Sequence, residues 1–236
     1  MKEFNNKITN LSNNSILSYR FFQPVYIFLF VNLFLISGCS NINKNEDINI
    51  CSTTKLPCID SNEYVLFITN KGNIKLELYG KLAPITVGNF IDFIEKGSYN
   101  KTIFNRVIKK PYPFIIRGGD NTSVGNHNKS IDTKIKDKRY IPLEIKLNTS
   151  NLPIYGKEID EPSQINNIEL KHKRSYLSMA RSKAVNSASL QFYILLKSLP
   201  ELDGRYAVFG KVISGMNIVD LIQEEDFIIE AKRVDS

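Results

Sequence analysis

Residues 64–79 narrow the fold more than any other part of the chain. In Ile74-Lys75-Leu76-Glu77-Leu78 apolar residues alternate with charged ones, the period-2 pattern of a strand with one buried face. Tyr64–Thr69 is a second β-rich run, and Asn70-Lys71-Gly72-Asn73 between them is turn sequence, so the stretch reads as a half-buried hairpin. Further short apolar runs follow at Thr102–Ile108, Phe114–Arg117, Tyr176–Ala180, Gln191–Leu196, Ala207–Ile213 and Ile228–Val234. Helical spacing occurs twice. Val87, Phe90, Ile91 and Ile94 form an i, i+3, i+4, i+7 stripe opened by Pro84 and stopped by Gly97, and Met216–Gln223 is a short second segment. Many short strands, two helices and no βαβ alternation predict an antiparallel barrel or an α+β domain. Asp120 to Ser175 reads as a long loop with one strand, Tyr140–Ile145; residues 121–139 offer almost nothing apolar to bury and are expected to be mobile.

The N-terminus reads as a targeting segment. Residues 1–20 are polar and carry Lys2, Lys7 and Arg20 against Glu3. Residues 21–36 are apolar, shorter than the ~20 residues that span a bilayer, and Ser37-Gly38-Cys39 follows. Ile36-Ser37-Gly38-Cys39 resembles a bacterial lipobox with Cys39 as the first mature, lipid-bearing residue; two or more acyl chains anchor stably where one does not. The expected division is a signal peptide at 1–38, a lipid-anchored flexible tether at 39–60 and a folded domain at 61–236. In the tether, Cys51 and Cys58 are either a disulfide of an oxidising compartment or two free thiols. The expected location is extracytoplasmic and membrane-anchored, on the periplasmic side or in a thylakoid lumen.

Composition removes several chemistries. Two His (His127 and His172) and three Cys leave little room for a zinc site, and no HExxH or paired CxxC is present. There is no GxSxG, no GxxxxGKS/T and no GxGxxG, hence no hydrolase elbow, P-loop or dinucleotide fingerprint. The net charge of +7 gathers partly at Lys134–Arg139 and Lys171–Arg174. Both clusters lack the interleaved aromatics of a base-stacking surface, so they read as solvated loops and not as a nucleic-acid site.

One residue stands out without any motif. Strand alternation in Ile103-Phe104-Asn105-Arg106-Val107-Ile108 would place Phe104, Arg106 and Ile108 on one face. An arginine among inward apolar neighbours is costly unless it is paired or lines a wet cleft.

Phe104-Asn105-Arg106-Val107-Ile108 followed by Phe114-Ile115-Ile116-Arg117-Gly118-Gly119-Asp120 resembles the FHRVI…FMxQGGD signature of cyclophilins. Leu177-Ser178-Met179-Ala180-Arg181 resembles LSMAN, Ser189-Leu190-Gln191-Phe192-Tyr193-Ile194 resembles SQFFI, and Leu202–Val212 resembles LDGxxxVFGKV. These motifs cover residues 63–236 in the family's order. The resemblance implies a mainly β fold, an eight-stranded antiparallel barrel closed by two α-helices, with a peptidyl-prolyl isomerase groove on its outside. It implies that Arg106 is catalytic, hydrogen-bonding the prolyl nitrogen as the peptide bond twists. Phe114, Ile115, Tyr193, Leu202 and Tyr206 would line the proline pocket. Gln191 would hold the substrate backbone, and Ala180 and Arg181 would offer main-chain contacts. No metal or cofactor is implied. The expected partners are proline-containing unfolded or newly exported proteins and, through the lipid, a membrane; the protein is expected to be monomeric.

The chain departs from the family pattern at several of these places. Arg117 stands for the usual Gln of the groove, Arg181 for Asn, Asn105 for His, Tyr193 for Phe and Tyr206 for His. Glu201 stands where many members have the Trp that helps bind cyclosporin. The Arg117 and Arg181 pair is expected to add charge beside the groove. Two functions stay open at this stage: an active isomerase, or a cyclophilin-like binding or chaperone module with little turnover.

Overall fold

The computed structural model of the chain describes residues 50–119 and 139–236. The expected signal peptide, Cys39 and the start of the tether lie outside the described residues, as does nearly all of the 121–139 loop.

Strand β1 (Asn62–Thr69) pairs antiparallel with β2 (Gly72–Tyr79) from Asn62↔Tyr79 to Thr69↔Gly72. The alternation works as the sequence requires: Val65, Phe67, Ile74, Leu76 and Leu78 are all fully buried. After helices α1 (Ile50–Thr53) and α2 (Pro84–Glu95) come β3 (Arg106–Val107), β4 (Ile115–Gly118), β5 (Glu144–Ile145) and β6 (Ile154–Tyr155). Helix α3 (Pro162–Asn166), β7 (Tyr176–Met179), β8 (Phe192–Leu195), β9 (Val208–Ser214), helix α4 (Met216–Leu221) and β10 (Ile228–Val234) complete the chain. Eight strands form one antiparallel sheet in the order β10-β1-β2-β9-β7-β8-β4-β3, and β5 and β6 pair separately.

The sheet curls into a half-barrel, the eight-stranded antiparallel fold the resemblance implies. Its edges are β10 and β3, and they are joined by the segments that precede them. Ile103 bridges Phe227, the Phe104 N–H donates to the Asp226 carbonyl at 2.7 Å, and the Ile228 N–H donates to the Thr102 carbonyl at 2.9 Å. Helix α2 fills the inner face: Phe90 sits 5.0 Å from the Phe209 ring and 5.6 Å from Phe192.

Helix α2 lacks a cap of its own, because Ala83 at the N-cap has no side-chain acceptor. Pro84 needs no partner for a nitrogen without hydrogen. The Ile85 and Thr86 N–H groups donate to the buried Glu144 carboxylate at 3.1 and 2.8 Å, 59 and 58 residues along the chain. Burial pushes the Glu144 carboxyl up, and these donors pull it back only in part.

Two sequence readings are corrected here. From Ile50 the chain is part of the folded unit and not tether. Cys51 and Cys58 form a disulfide, Leu56, Cys58 and Ile59 pack on the core, and the Ile59 N–H donates to the Pro84 carbonyl at 3.0 Å. Gly88 makes this docking feasible, since a Cβ there would lie 2.4 Å from the Cys58 nitrogen. Residues 140–175 are likewise a compact insertion. Leu143, Ile145, Leu147, Ile159, Ile168 and Ala207 form a second core, and Tyr140–Ile145 is a strand only at Glu144–Ile145. The second basic cluster does not behave as one: His172 is buried, and Arg174 pairs with Asp220 at 2.7 Å.

Candidate active site

Antiparallel register puts residues directly opposite one another on the same face. Arg106 stands opposite Arg117, Arg117 opposite Tyr193, and Tyr193 opposite Ser178, one row across β3, β4, β8 and β7. Ile115 and Leu195 form the next row on that face. The alternate rows, Val107, Ile116, Ile194 and Leu177, turn into the core. Arg106 and Tyr193 are therefore two strand spacings apart, about 10 Å, on the outer face.

The expected grouping of Phe104, Arg106 and Ile108 on one face does not hold. Phe104 is fully buried in the core, while Arg106 is exposed. The cause is a change of hydrogen-bonding partner. Residues 101–104 bond to the 225–228 segment, whereas from Asn105, whose N–H donates to the Arg117 carbonyl at 3.1 Å, the chain bonds to β4. The pleat restarts at that switch, so the inward residues are Phe104 and Val107. Arg106 makes no side-chain hydrogen bond or ion pair among the described residues. Arg117 does: its Nε donates to Asn105 Oδ1 at 3.2 Å.

Tyr193, Leu195 and Leu199 are buried in an apolar cluster on the outer face, with Phe114, Ile115, Tyr176, Ala180, Leu202 and Tyr206 half-buried against it. All five residues assigned to the proline pocket from sequence meet here, and Ala180 with them. Gln191 is beside them, its carbonyl accepting the Ala180 N–H at 2.9 Å. The Tyr193 and Tyr206 rings meet edge to face at 5.9 Å.

Arg181 does not add free charge to the groove. Its side chain is only 7 % exposed and pairs with Glu158 from the insertion. Its Nε also donates to the Arg205 carbonyl at 3.0 Å, and its guanidinium lies 4.8 Å over the Tyr206 ring. Gly204 lets the insertion approach this closely, for at φ +82° a Cβ would fall 2.1 Å from the Ile159 carbonyl oxygen. Glu201 is exposed in a 3-10 turn at Pro200–Leu202.

A buried polar chain, unseen in the sequence, adjoins this cluster at Tyr193. His172 Nδ1 is 2.8 Å from Asp203 Oδ1, and its Nε2 is 3.3 Å from Ser178 Oγ and 3.2 Å from the Tyr193 hydroxyl. The connectivity is that of a serine nucleophile with its base, but Ser178 is 0 % exposed and its hydroxyl donates to the Ala207 carbonyl at 2.9 Å. No substrate reaches it. His172, Ser178 and Asp203 are 31 residues apart at most, and no local pattern signals their meeting. Among the described residues no group of three or more His, Cys, Asp or Glu could hold a metal ion.

The sequence model of the family described as "Cyclophilin type peptidyl-prolyl cis-trans isomerase/CLD" matches residues 64–234. The chain belongs to the cyclophilin-type peptidyl-prolyl isomerases. This cyclophilin is 34% identical over 169 residues to the peptidyl-prolyl cis-trans isomerase A of Dickeya dadantii, covering 70% of this chain and 73% of that protein. It is 38% identical over 167 residues to a peptidyl-prolyl cis-trans isomerase-like 2 of Rhizopus delemar. That match covers 70% of this chain and spans 26% of the longer fungal protein. A crystal structure of a cyclophilin-type isomerase from Cryptosporidium parvum superposes with a TM-score of 0.55 at 31% identity, covering 74% of this chain and 99% of that one. The same protein crystallised in the presence of the dipeptide Ala-Pro gives a TM-score of 0.54 at 32% identity, covering 74% of this chain and 100% of that one.

Proposed function

We propose that this cyclophilin catalyses cis-trans rotation of X-Pro bonds, with the proline ring in the Tyr193 pocket and Arg106 as the catalytic group. The observation that carries the reading is the placement of Arg106, an unpaired guanidinium on the same sheet face as the apolar cluster and two strands away from it. A prolyl bond resists rotation by ~18–20 kcal/mol because its C–N bond is partly double. Twisting it returns the lone pair to nitrogen. A guanidinium that donates to that nitrogen binds the twisted state better than the planar one, and only such differential binding lowers the barrier. Phe114, Ile115, Leu202 and Tyr206 hold the proline ring, and Gln191 with the Ala180 and Arg181 main chain holds the peptide. The crystallisation of the Cryptosporidium relative in the presence of the dipeptide Ala-Pro supports proline-containing peptides as ligands.

The substrates we assign are unfolded or newly exported proteins, met on the far side of the membrane from a lipid anchor at Cys39. The lipobox-like Ile36–Cys39 supports the anchor, and the Cys51–Cys58 disulfide supports an oxidising compartment. Isomerisation of a short proline peptide by the purified chain tests the enzyme. A rate above the uncatalysed one is expected, and peptide binding without acceleration would mean a binding module instead. Cys39→Ser tests the anchor: the substituted protein should leave the membrane fraction, and unchanged partitioning would sink that part.

A further inference from the structure

The buried His172 chain has a defined direction. Asp203 Oδ1 accepts both the His172 backbone N–H and ring Nδ1, each at 2.8 Å. The carboxylate oxygen accepts from both, so Nδ1 carries a proton, and in the neutral ring Nε2 presents its lone pair. Ser178 and Tyr193 both face that lone pair, but Ser178 spends its one hydroxyl proton on the Ala207 carbonyl at 2.9 Å. The donor to Nε2 is therefore the Tyr193 hydroxyl, at 3.2 Å. Burial pushes Tyr193 ionisation well above the usual range, which keeps that hydroxyl protonated.

We infer that His172 is a positioning residue for the proline pocket: fixed by Asp203, it takes the Tyr193 hydroxyl and so holds the ring that forms the pocket floor. Tyr193 is held at two places. Its hydroxyl is bound by His172, and its ring packs edge to face with the Tyr206 ring, itself under the Arg181 guanidinium. A swing of Tyr193 to another rotamer would break the hydroxyl bond and empty the floor. Where a binding-competent state is only partly populated, affinity falls by that fraction. The inference rests on the isomerase reading only for the identity of the ligand.

The experiment is a double-substitution cycle read by NMR titration with a short Ala-Pro peptide and by isomerisation kinetics at saturation. Tyr193→Phe should weaken peptide binding about threefold to tenfold, the scale of one neutral hydrogen bond. His172→Asn keeps a donor at the Nδ1 position for Asp203 and offers nothing at Nε2; it should weaken binding equally. His172→Gln, with its amide near the Nε2 position, should restore affinity. The double variant Tyr193→Phe/His172→Asn should be no weaker than either single one. Unchanged affinity in Tyr193→Phe overturns the inference. So does a His172→Asn effect of the same size with Phe at 193, since His172 would then act without the hydroxyl. If His172→Asn does not fold, Tyr193→Phe alone decides. A wild type that binds the peptide without accelerating rotation removes the isomerase reading and leaves the affinity cycle intact. A wild type that binds no proline peptide removes both.

Discussion

Arg106 and Arg117 face each other across the β3–β4 ladder, and the Asn105 side chain between them takes Arg117 Nε at 3.2 Å while Arg106 stays unpaired. Two like charges directly opposite repel, and a neutral acceptor that ties one of them down leaves the other exposed on the outer face. Arg106 is thus available to a substrate.

Replacing Arg106 should remove catalysis and spare binding. Lysine keeps the charge but loses the planar fork that reaches the prolyl nitrogen and a carbonyl together. Arg106→Lys and Arg106→Ala should both lower kcat/KM by ~10²–10³, roughly 3–4 kcal/mol, with peptide affinity changing far less because the apolar pocket remains. Isomerisation rates and peptide titrations, with circular dichroism as the folding control, check this. Wild-type rates in both folded variants would make Arg106 merely structural.

Cyclosporin should inhibit weakly. Glu201 is exposed in the 3-10 turn beside Leu202 and supplies neither an indole N–H nor a large apolar face. Glu201→Trp should tighten inhibition, and calorimetric titration of both proteins reads it. Tight binding by the wild type would contradict the expectation.

The disulfide should stabilise without touching the groove. Cys51 and Cys58 clamp their segment beside α2, which fills the inner face of the sheet, whereas the apolar cluster around Tyr193 is on the outer face. Closing so short a loop is worth about 2–3 kcal/mol, or about 4–12 °C in Tm for a domain of this size. Scanning calorimetry of the Cys51→Ala/Cys58→Ala protein should show that fall, with the isomerisation rate at 25 °C unchanged.

Acid should open the seam between the sheet edges. Burial pushes the Asp226 carboxyl up, but the Asn70 amide, the Gln223 N–H and Lys71 outweigh it and hold the group below the usual carboxylate range. Asn70 Nδ2 and the Gln223 N–H donate to it at 2.7 Å each. A pKa lowered on folding gives stability that is full above the unfolded value of about 4 and is lost as pH falls toward the folded one. Asp92, lowered by Lys96 and Arg139 against the same upward push of burial, adds to that limb. Asp226→Ala should cost about 1–3 kcal/mol at pH 7 and flatten the fall in stability below pH 4. Urea unfolding from pH 2 to 7 measures both.

Local periodicity was enough for the β1–β2 hairpin, the apolar stripe of α2 and the strands β7 to β10, because each depends on neighbours in sequence taking one buried face. The motifs also named residues that meet around Tyr193. What sequence could not carry were the pairings between distant residues. Glu144 caps α2 from 58 residues away, and Glu158 neutralises Arg181. Asp203 and Tyr193 enclose His172 on both sides. The face of Arg106 was decided in the same way. Alternation assumes one continuous ladder, and the chain changes partners at Asn105, from the 225–228 segment to β4. A strand's pleat follows its hydrogen bonds, so only the tertiary pairing determined that Phe104 enters the core and Arg106 faces out.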